Sequence, residues 1–221
     1  MRCRGRSPCL PYHNWAITIL GNPPRRIAPT GEHAMTFDPE KYHRRSIRLR
    51  GHDYSQEGAY FITICAQDRR CLFGEIADGE MRLNDAGWML SVVWRQIPDC
   101  YPGAAVDEYV IMPNHIHGII LLIHDTSVGA GPCACPDIGQ PRGVAPTKIS
   151  LGDVVGRFKS LTTRRYMAGI SEHGWPPFAG RLWQRNYYEH IIRNDDDFTE
   201  IREYIIANPS KWSEDREYTP L

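Results

Sequence analysis

Ile111-Met112-Pro113-Asn114-His115-Ile116-His117-Gly118-Ile119-Ile120-Leu121-Leu122-Ile123 is the stretch on which the fold turns. A run this apolar, rich in β-branched residues and without charge, reads as strand, and the Pro-Asn pair ahead of the histidines signals a turn. The pattern predicts a hairpin in which 108–112 turns at Pro113-Asn114 and returns as 115–123. Side chains alternate faces along a strand, so His115 and His117 project from one side, about 7 Å apart, with Ile116 turned into the core. Two imidazoles on one face can grip one metal ion. An arbitrary His-x-His is more often a pair of half-buried strand histidines, so a second stretch has to decide between the two.

Working outward, Ala59-Tyr60-Phe61-Ile62-Thr63-Ile64-Cys65-Ala66 is aromatic and β-branched and reads as a first core strand. Gly74-Glu75-Ile76 and Met81-Arg82-Leu83 flank Asp78-Gly79, a turn dipeptide, and predict a small hairpin. Asn84 or Asp85 caps a helix with apolar positions at Trp88, Leu90, Val92, Val93 and Ile97, ending near Pro98. Beyond the histidine hairpin, a second helix begins at Ser150 or Asp153 and runs through Val154, Val155, Phe158, Leu161 and Tyr166. A last strand is expected over 182–192. The order β, α, β, β, α, β is that of an α+β fold, a ferredoxin-like antiparallel sheet with helices packed on one face.

Two segments stand apart. Residues 1–35 are rich in Pro and Arg without a period, and read as a disordered extension or as sequence upstream of the true start codon. Residues 125–147, with Gly, Pro, Ser and Cys, read as a flexible insertion. A single domain is expected over 36–212, followed by a tail over 213–221.

The 221 residues are 42% apolar and 24% charged, the composition of a globular protein, and carry no apolar run long enough to span a bilayer. A cytoplasmic protein that makes no use of a membrane is expected. The 26 basic and 26 acidic residues cancel, which first argues against a nucleic-acid partner. The zero is nevertheless a sum of segregated patches. Lys41, His43, Arg44, Arg45, Arg48 and Arg50 form one basic cluster, Arg157, Lys159, Arg164 and Arg165 a second, and Arg181, Arg185 and Arg193 a third. Asp195-Asp196-Asp197 and the stretch from Glu214 to Glu217 hold acidic residues. A charge run alone is usually a solvated face; three together suit a nucleic-acid surface.

The second deciding stretch is a helix from Asp195 to about Asn208, capped by Asn194 or Asp195 and stopped by Pro209, with Phe198, Ile201 and Ile205 as its buried stripe. Tyr204 and Asn208 are four apart and share a face. Met112-Pro113-Asn114-His115-Ile116-His117, Trp183-Gln184-Arg185-Asn186-Tyr187-Tyr188-Glu189-His190-Ile191-Ile192-Arg193 and Tyr204-Ile205-Ile206-Ala207-Asn208-Pro209 resemble, in order and spacing, the REP-associated tyrosine transposases of the single-tyrosine HUH (IS200-like) superfamily. The resemblance spans about 41–212. It implies a ferredoxin-like core of HUH endonuclease type and a metal held by His115 and His117, with Asn208 as the polar ligand one turn after the nucleophile Tyr204. It also implies action on single-stranded, hairpin-containing DNA in association with the nucleoid, and allows a homodimer, although monomers occur in this branch.

The chemistry fits the residues. A phenol can attack phosphorus and leave again, so the cleavage is reversible, as strand transfer requires. A His/His/amide site is harder than a thiolate site and suits Mg²⁺ or Mn²⁺. Arg44, Arg45, Lys159, Arg164 and Arg185 are the expected phosphate contacts, and Trp183, Tyr187 and Tyr188 the aromatics that stack on unpaired bases. His190 reads as a DNA-positioning or structural residue. Read without the resemblance, the residues leave two further classes open: a non-catalytic nucleic-acid-binding protein on the same fold, and a metal-dependent hydrolase.

Overall fold

The chain's computed structural model describes residues 49, 51–123 and 148–219. The expected N-terminal extension and the 125–147 insertion lie outside the described residues. Strand β1 (Gly58–Cys65) is followed by the hairpin β2 (Gly74–Ala77) and β3 (Glu80–Leu83). Its turn residues Asp78 and Gly79 both have positive φ, 57° and 76°, which a two-residue turn matched to strand twist demands. Helix α1 (Asp85–Arg95) starts at the cap Asn84, whose side chain accepts from the Gly87 amide, and a short α2 (Ile97–Cys100) follows. Strands β4 (Ala104–Ile111) and β5 (His115–Leu122) form the histidine hairpin. Helix α3 (Leu151–His173) opens on a capping box made by Ser150 and Asp153 and closes on Gly174 in the left-handed conformation. Strand β6 (Tyr188–Ile192) and helix α4 (Asp195–Ala207) complete the order.

The four long strands form one antiparallel sheet in the order β4-β5-β1-β6. This is the ferredoxin-like arrangement expected from the sequence. The alternation of side chains splits the sheet into two apolar faces. Tyr60, Ile62, Ile64, Ile116 and Ile120 face α1 and α3, where Trp94, Phe158 and Tyr166 fill the core. Phe61, Ile119 and Ile192 face the other way and are covered by Ile201 and Ile205 of α4. The pair α1 and α3 therefore shares one face, and α4 covers the other.

Two expectations need correcting. Trp88 and Val92, read as core positions of α1, are exposed, because Leu90, Val93 and Trp94 already fill the inward stripe. The last strand is shorter than 182–192. Trp183 pairs with Ala66 in an isolated bridge and is drawn into the core, where its Nε1 donates to Thr162 Oγ1 at 2.9 Å, and regular pairing resumes only at Tyr188.

Gly118 is required by packing. The indole of Trp94 lies so close over it that a Cβ would run into the ring. Gly118→Ala is expected to lower stability by roughly 1–3 kcal/mol, as overpacking does in a filled core. A urea titration would show this as a lower midpoint at unchanged slope; an unchanged midpoint would contradict the contact.

Candidate active site

The histidine hairpin and α4 meet on the sheet face that α4 covers. Because the register sets Thr63 opposite His117 and Cys65 opposite His115, β1 supplies the floor beneath both rings. His115 and His117 are buried, with their Nε2 atoms 2.9 Å apart. Each Nδ1 is held from behind, that of His115 by Asn114 Oδ1 at 2.8 Å and that of His117 by Thr63 Oγ1 at 2.8 Å.

These contacts fix chemistry as well as position. The Asn114 amide donates from Nδ2 to the carbonyls of Glu217 (2.7 Å) and Arg69 (3.1 Å), so its oxygen is the atom turned to His115. An amide oxygen only accepts, so His115 carries its proton on Nδ1 and presents a lone pair at Nε2. Thr63 can accept from His117 Nδ1 in the same way. The hydrogen bonds behind the rings thus allow both Nε2 lone pairs to converge on one point, the arrangement of a cation site with its orienting partners.

Helix α4 is aligned by its apolar stripe and by ion pairs toward both edges of the sheet. His190 of β6 meets Asp197 in the first turn of α4 at 3.0 Å, and Arg202 meets Asp107 of β4 at 2.7 Å. A bulge between Val106 and Tyr109 places Asp107 where the β4 register shifts. So aligned, α4 sets the Tyr204 ring edge-on to Phe61 and over His117, with centroid distances of 6.0 and 5.3 Å, and its hydroxyl 3.4 Å from His117 Nε2. The tyrosine and the histidine pair come from one chain.

A residue that sequence reasoning missed completes the group. After a 3-10 turn over Pro209–Glu214, the chain returns across the site. Asp215 Oδ2 lies 3.6 Å from His117 Nε2, accepts from Asn208 Nδ2 at 2.9 Å, and accepts from the Tyr204 hydroxyl at 3.4 Å. Its Oδ1 accepts from the Glu217 amide at 2.6 Å, and the Glu217 carboxylate pairs with Arg69 at 2.8 Å. Trp212 packs beside His115, with ring centroids 5.9 Å apart. Residues 213–219, read from sequence as a tail, are therefore part of the site. His115, His117 and Asp215 offer ligand atoms all within 4.8 Å of one another, a group that can hold a metal ion. Asn208 reaches this group through Asp215, and its own Oδ1 is buried without a hydrogen-bond partner, an acceptor in want of a donor or a cation.

The electrostatics follow from burial. Desolvation, reinforced by His117, pushes the pKa of His115 well below the ordinary imidazole value, so the ring is neutral, as a ligand must be. Burial works against the Asp215 carboxylate, but its interactions with His117 and Asn208 outweigh that and keep it ionised. Burial first, and Asp215 second, raise the Tyr204 phenol above its usual value.

The chain matches no protein-family model. It is 41% identical over 180 residues to an uncharacterized protein of Haemophilus influenzae, a match covering 80% of this chain and 94% of the relative. A solved structure of a REP-associated tyrosine transposase bound to a REP hairpin superposes with a TM-score of 0.45 at 20% identity, covering 74% of this chain and 73% of that one. A second Haemophilus influenzae protein, provisionally named a REP-associated tyrosine transposase, is 25% identical over 159 residues, covering 72% of this chain and 74% of that one. The chain is thus similar, at 25% identity, to a protein provisionally named a REP-associated tyrosine transposase.

The residues read from the sequence divide into two groups. Tyr204, His115, His117 and Asn208 stand together. The basic residues do not join them. Arg44 and Arg45 lie outside the described residues. Arg164 is exposed on α3, whose buried side chains belong to the opposite face of the sheet. Lys159 has its ammonium turned onto backbone carbonyls, and Arg185 is exposed in the loop before β6. His190 is engaged with Asp197, where it ties β6 to α4. Trp183 is core; Tyr187 and Tyr188 are half-buried. Asn114 was legible only as a turn residue, and Thr63 only as a strand residue. Asp215 sat in a run of charge that gave no sign of folding back.

The pKa of His115 has a measurable consequence. In the metal-free protein, the unfolded chain takes up a proton at His115 near pH 6.5 while the folded protein does not. Its contribution to stability is therefore full above that pH and declines as pH falls below it. Urea midpoints taken between about pH 7 and pH 5 should fall more steeply for the native chain than for His115→Gln; parallel curves would contradict a buried neutral His115.

Proposed function

We propose that this protein is a single-stranded DNA endonuclease and strand transferase that binds hairpin DNA of REP-like palindromic type and cleaves it through a covalent 5′-phosphotyrosine on Tyr204. The observation that carries the proposal is the Tyr204 hydroxyl 3.4 Å from His117 Nε2, beside the point where the Nε2 atoms of His115 and His117 approach to 2.9 Å. A phenol placed over two converging imidazoles has no structural need of them, because Phe61, Ile201 and Ile205 already secure the helix.

Each step is a role for a residue of this chain. Tyr204 Oη forms a bond to phosphorus as the bond from phosphorus to the 3′-oxygen breaks, leaving the 5′-phosphate on the tyrosine. The phenolic proton has its nearest carboxylate acceptor in Asp215 Oδ2, and the departing 3′-oxygen takes a proton from solvent, so charge balances. Attack of that 3′-hydroxyl, or of another, on the phosphotyrosine restores a phosphodiester and returns the proton to the phenol. No nucleotide hydrolysis is needed, since the bond energy is kept in the phosphotyrosine.

The donor set supports a divalent cation. His115 and His117 would hold it through Nε2, with Asp215 and the unpartnered Oδ1 of Asn208 as oxygen donors. Two nitrogens with oxygens from a carboxylate and an amide suit Mn²⁺ or Mg²⁺. When bound, such an ion offsets negative charge on the scissile phosphate and orients it. Asn114 sets His115 in the tautomer this requires, and the Thr63 hydroxyl is able to accept from His117 Nδ1 to the same effect. His115 and His117 are buried, with the Trp212 ring 5.9 Å from that of His115 and Asp215 Oδ2 3.6 Å from His117 Nε2.

The test is incubation of the purified chain with a labelled hairpin oligonucleotide copied from palindromic repeats beside its gene, with and without Mn²⁺, on a denaturing gel. A metal-dependent covalent adduct is expected, lost entirely in Tyr204→Phe while binding persists. Cut DNA without an adduct would indicate a hydrolase, and binding without cutting a DNA-binding protein on this scaffold.

A further inference from the structure

The loop before β6 is built in a way that the cleavage chemistry does not use. Between the bridge of Trp183 with Ala66 and the pairing of Tyr188 with Thr63, four residues (184–187) face only two of β1 (64 and 65). This is a bulge with two residues in excess. Lys159 enters it from α3. Its Nζ donates to three successive carbonyls, those of Gln184 at 3.0 Å, Arg185 at 3.5 Å and Asn186 at 2.9 Å, and lies 5.5 Å from the centre of the Tyr187 ring. Gln184 is pinned on its other side, its amide N–H donating to Cys65 O at 3.0 Å and its Nε2 to Ala66 O at 3.3 Å.

Peptide planarity turns this into a statement about the opposite edge. No peptide bond among the described residues is cis, and in a trans unit the N–H points away from the C=O it is bonded to. Carbonyls of 184 and 185 turned in to Lys159 therefore turn the N–H groups of Arg185 and Asn186 outward. Neither N–H donates to any described residue, and both side chains are exposed. The outward edge thus gathers peptide donors, the Asn186 amide and the Arg185 guanidinium, a concentration of positive potential with no acid beside it in sequence. Cys65, against which the bulge is pinned, stands opposite His115 in the sheet, so the bulge lies about two strand spacings, roughly 10 Å, from the histidine pair.

We propose that the bulge is a phosphate-binding edge for the DNA strand next to the scissile position, with Arg185 as its contact, and that Lys159 is the positioning residue that holds it open. The inference rests on the DNA-cleaving function proposed above. It reverses the role that sequence gives Lys159, from phosphate contact to internal clamp. Burial lowers the Lys159 pKa to about 8, which leaves the ammonium charged at neutral pH and unable to be spared from its carbonyls without loss.

The test is the salt dependence of binding of the full-length chain to labelled oligothymidylate without metal, for the native protein, Arg185→Ala, Lys159→Met and the double variant. Each phosphate contact contributes about 0.7 to the slope of log K against log salt for a single strand. Arg185→Ala is expected to reduce the slope by about that amount, and Lys159→Met to reduce it as much in the native background and not at all in Arg185→Ala. A clamp that merely supported the fold would lower the melting temperature without this non-additivity. Additive losses would make Lys159 itself a phosphate contact, and an unchanged slope in Arg185→Ala would remove the bulge from the DNA surface; either overturns the proposal. Arg185 is exposed, so that arm is read even where Lys159→Met fails to fold, and Lys159→Gln, which retains a donor, then replaces it. A native chain that binds no DNA at any salt would overturn the proposed function as well, an outcome distinct from both.

Discussion

Ile201 and Ile205 of α4 lie against Phe61 and Ile119 of the sheet, and the position of every reactive group follows from that contact. The sheet face is set by alternation: once Ile116 and Ile120 are committed to the core beneath α1 and α3, His115, His117 and Ile119 must face the other way. A helix that covers this face with Ile201 and Ile205 brings Tyr204 and Asn208, which flank the last residue of that stripe, over the histidines. Arg202 with Asp107 and His190 with Asp197 then fix its angle across the sheet. Partly exposed ion pairs of this kind contribute little net stability but penalise misalignment, because the more buried partner, Asp107 or His190, would lose its counter-charge.

The same contact explains how a polar site survives in so buried a place. Two imidazoles, an amide and a carboxylate sit together with little access to water, and the arrangement is tolerated because nearly every polar atom has a partner: Thr63 and Asn114 behind the rings, Arg69 on Glu217, the Glu217 amide on Asp215. The exception, Asn208 Oδ1, marks where the network is unfinished. Such a network is rigid when fully satisfied, and its missing member points to the ligand it is shaped for.

Most of this was legible in the sequence where periodicity or a cap carried it. The strand alternation that pairs His115 with His117, the Asp78-Gly79 turn, the Asn84 and Ser150 caps and the four-residue spacing of Tyr204 and Asn208 are all local signals, and each reappears in the structure. What was not legible is long-range. Thr63 gains its role from being opposite His117 in a register no local pattern encodes. Asp215 gains its role from a return of the chain after Pro209. Lys159, on an amphipathic helix, looked like any outward cation, and only the bulge at 184–187 shows where its charge is held. The exposed Trp88 is the converse case, an apolar residue whose helix had already filled its inward face with others.

The most direct measurement of the account's central claim is the mass of the DNA-linked peptide. After cleavage of a hairpin oligonucleotide, nuclease trimming and trypsin digestion, the adduct should reside on the peptide from Glu203 to Lys211, in which Tyr204 is the only tyrosine. A nucleotide phosphate on that peptide is the predicted result. The same adduct on any other peptide would contradict the assignment of Tyr204 as the attacking group, and with it the reading of the histidine pair beneath it.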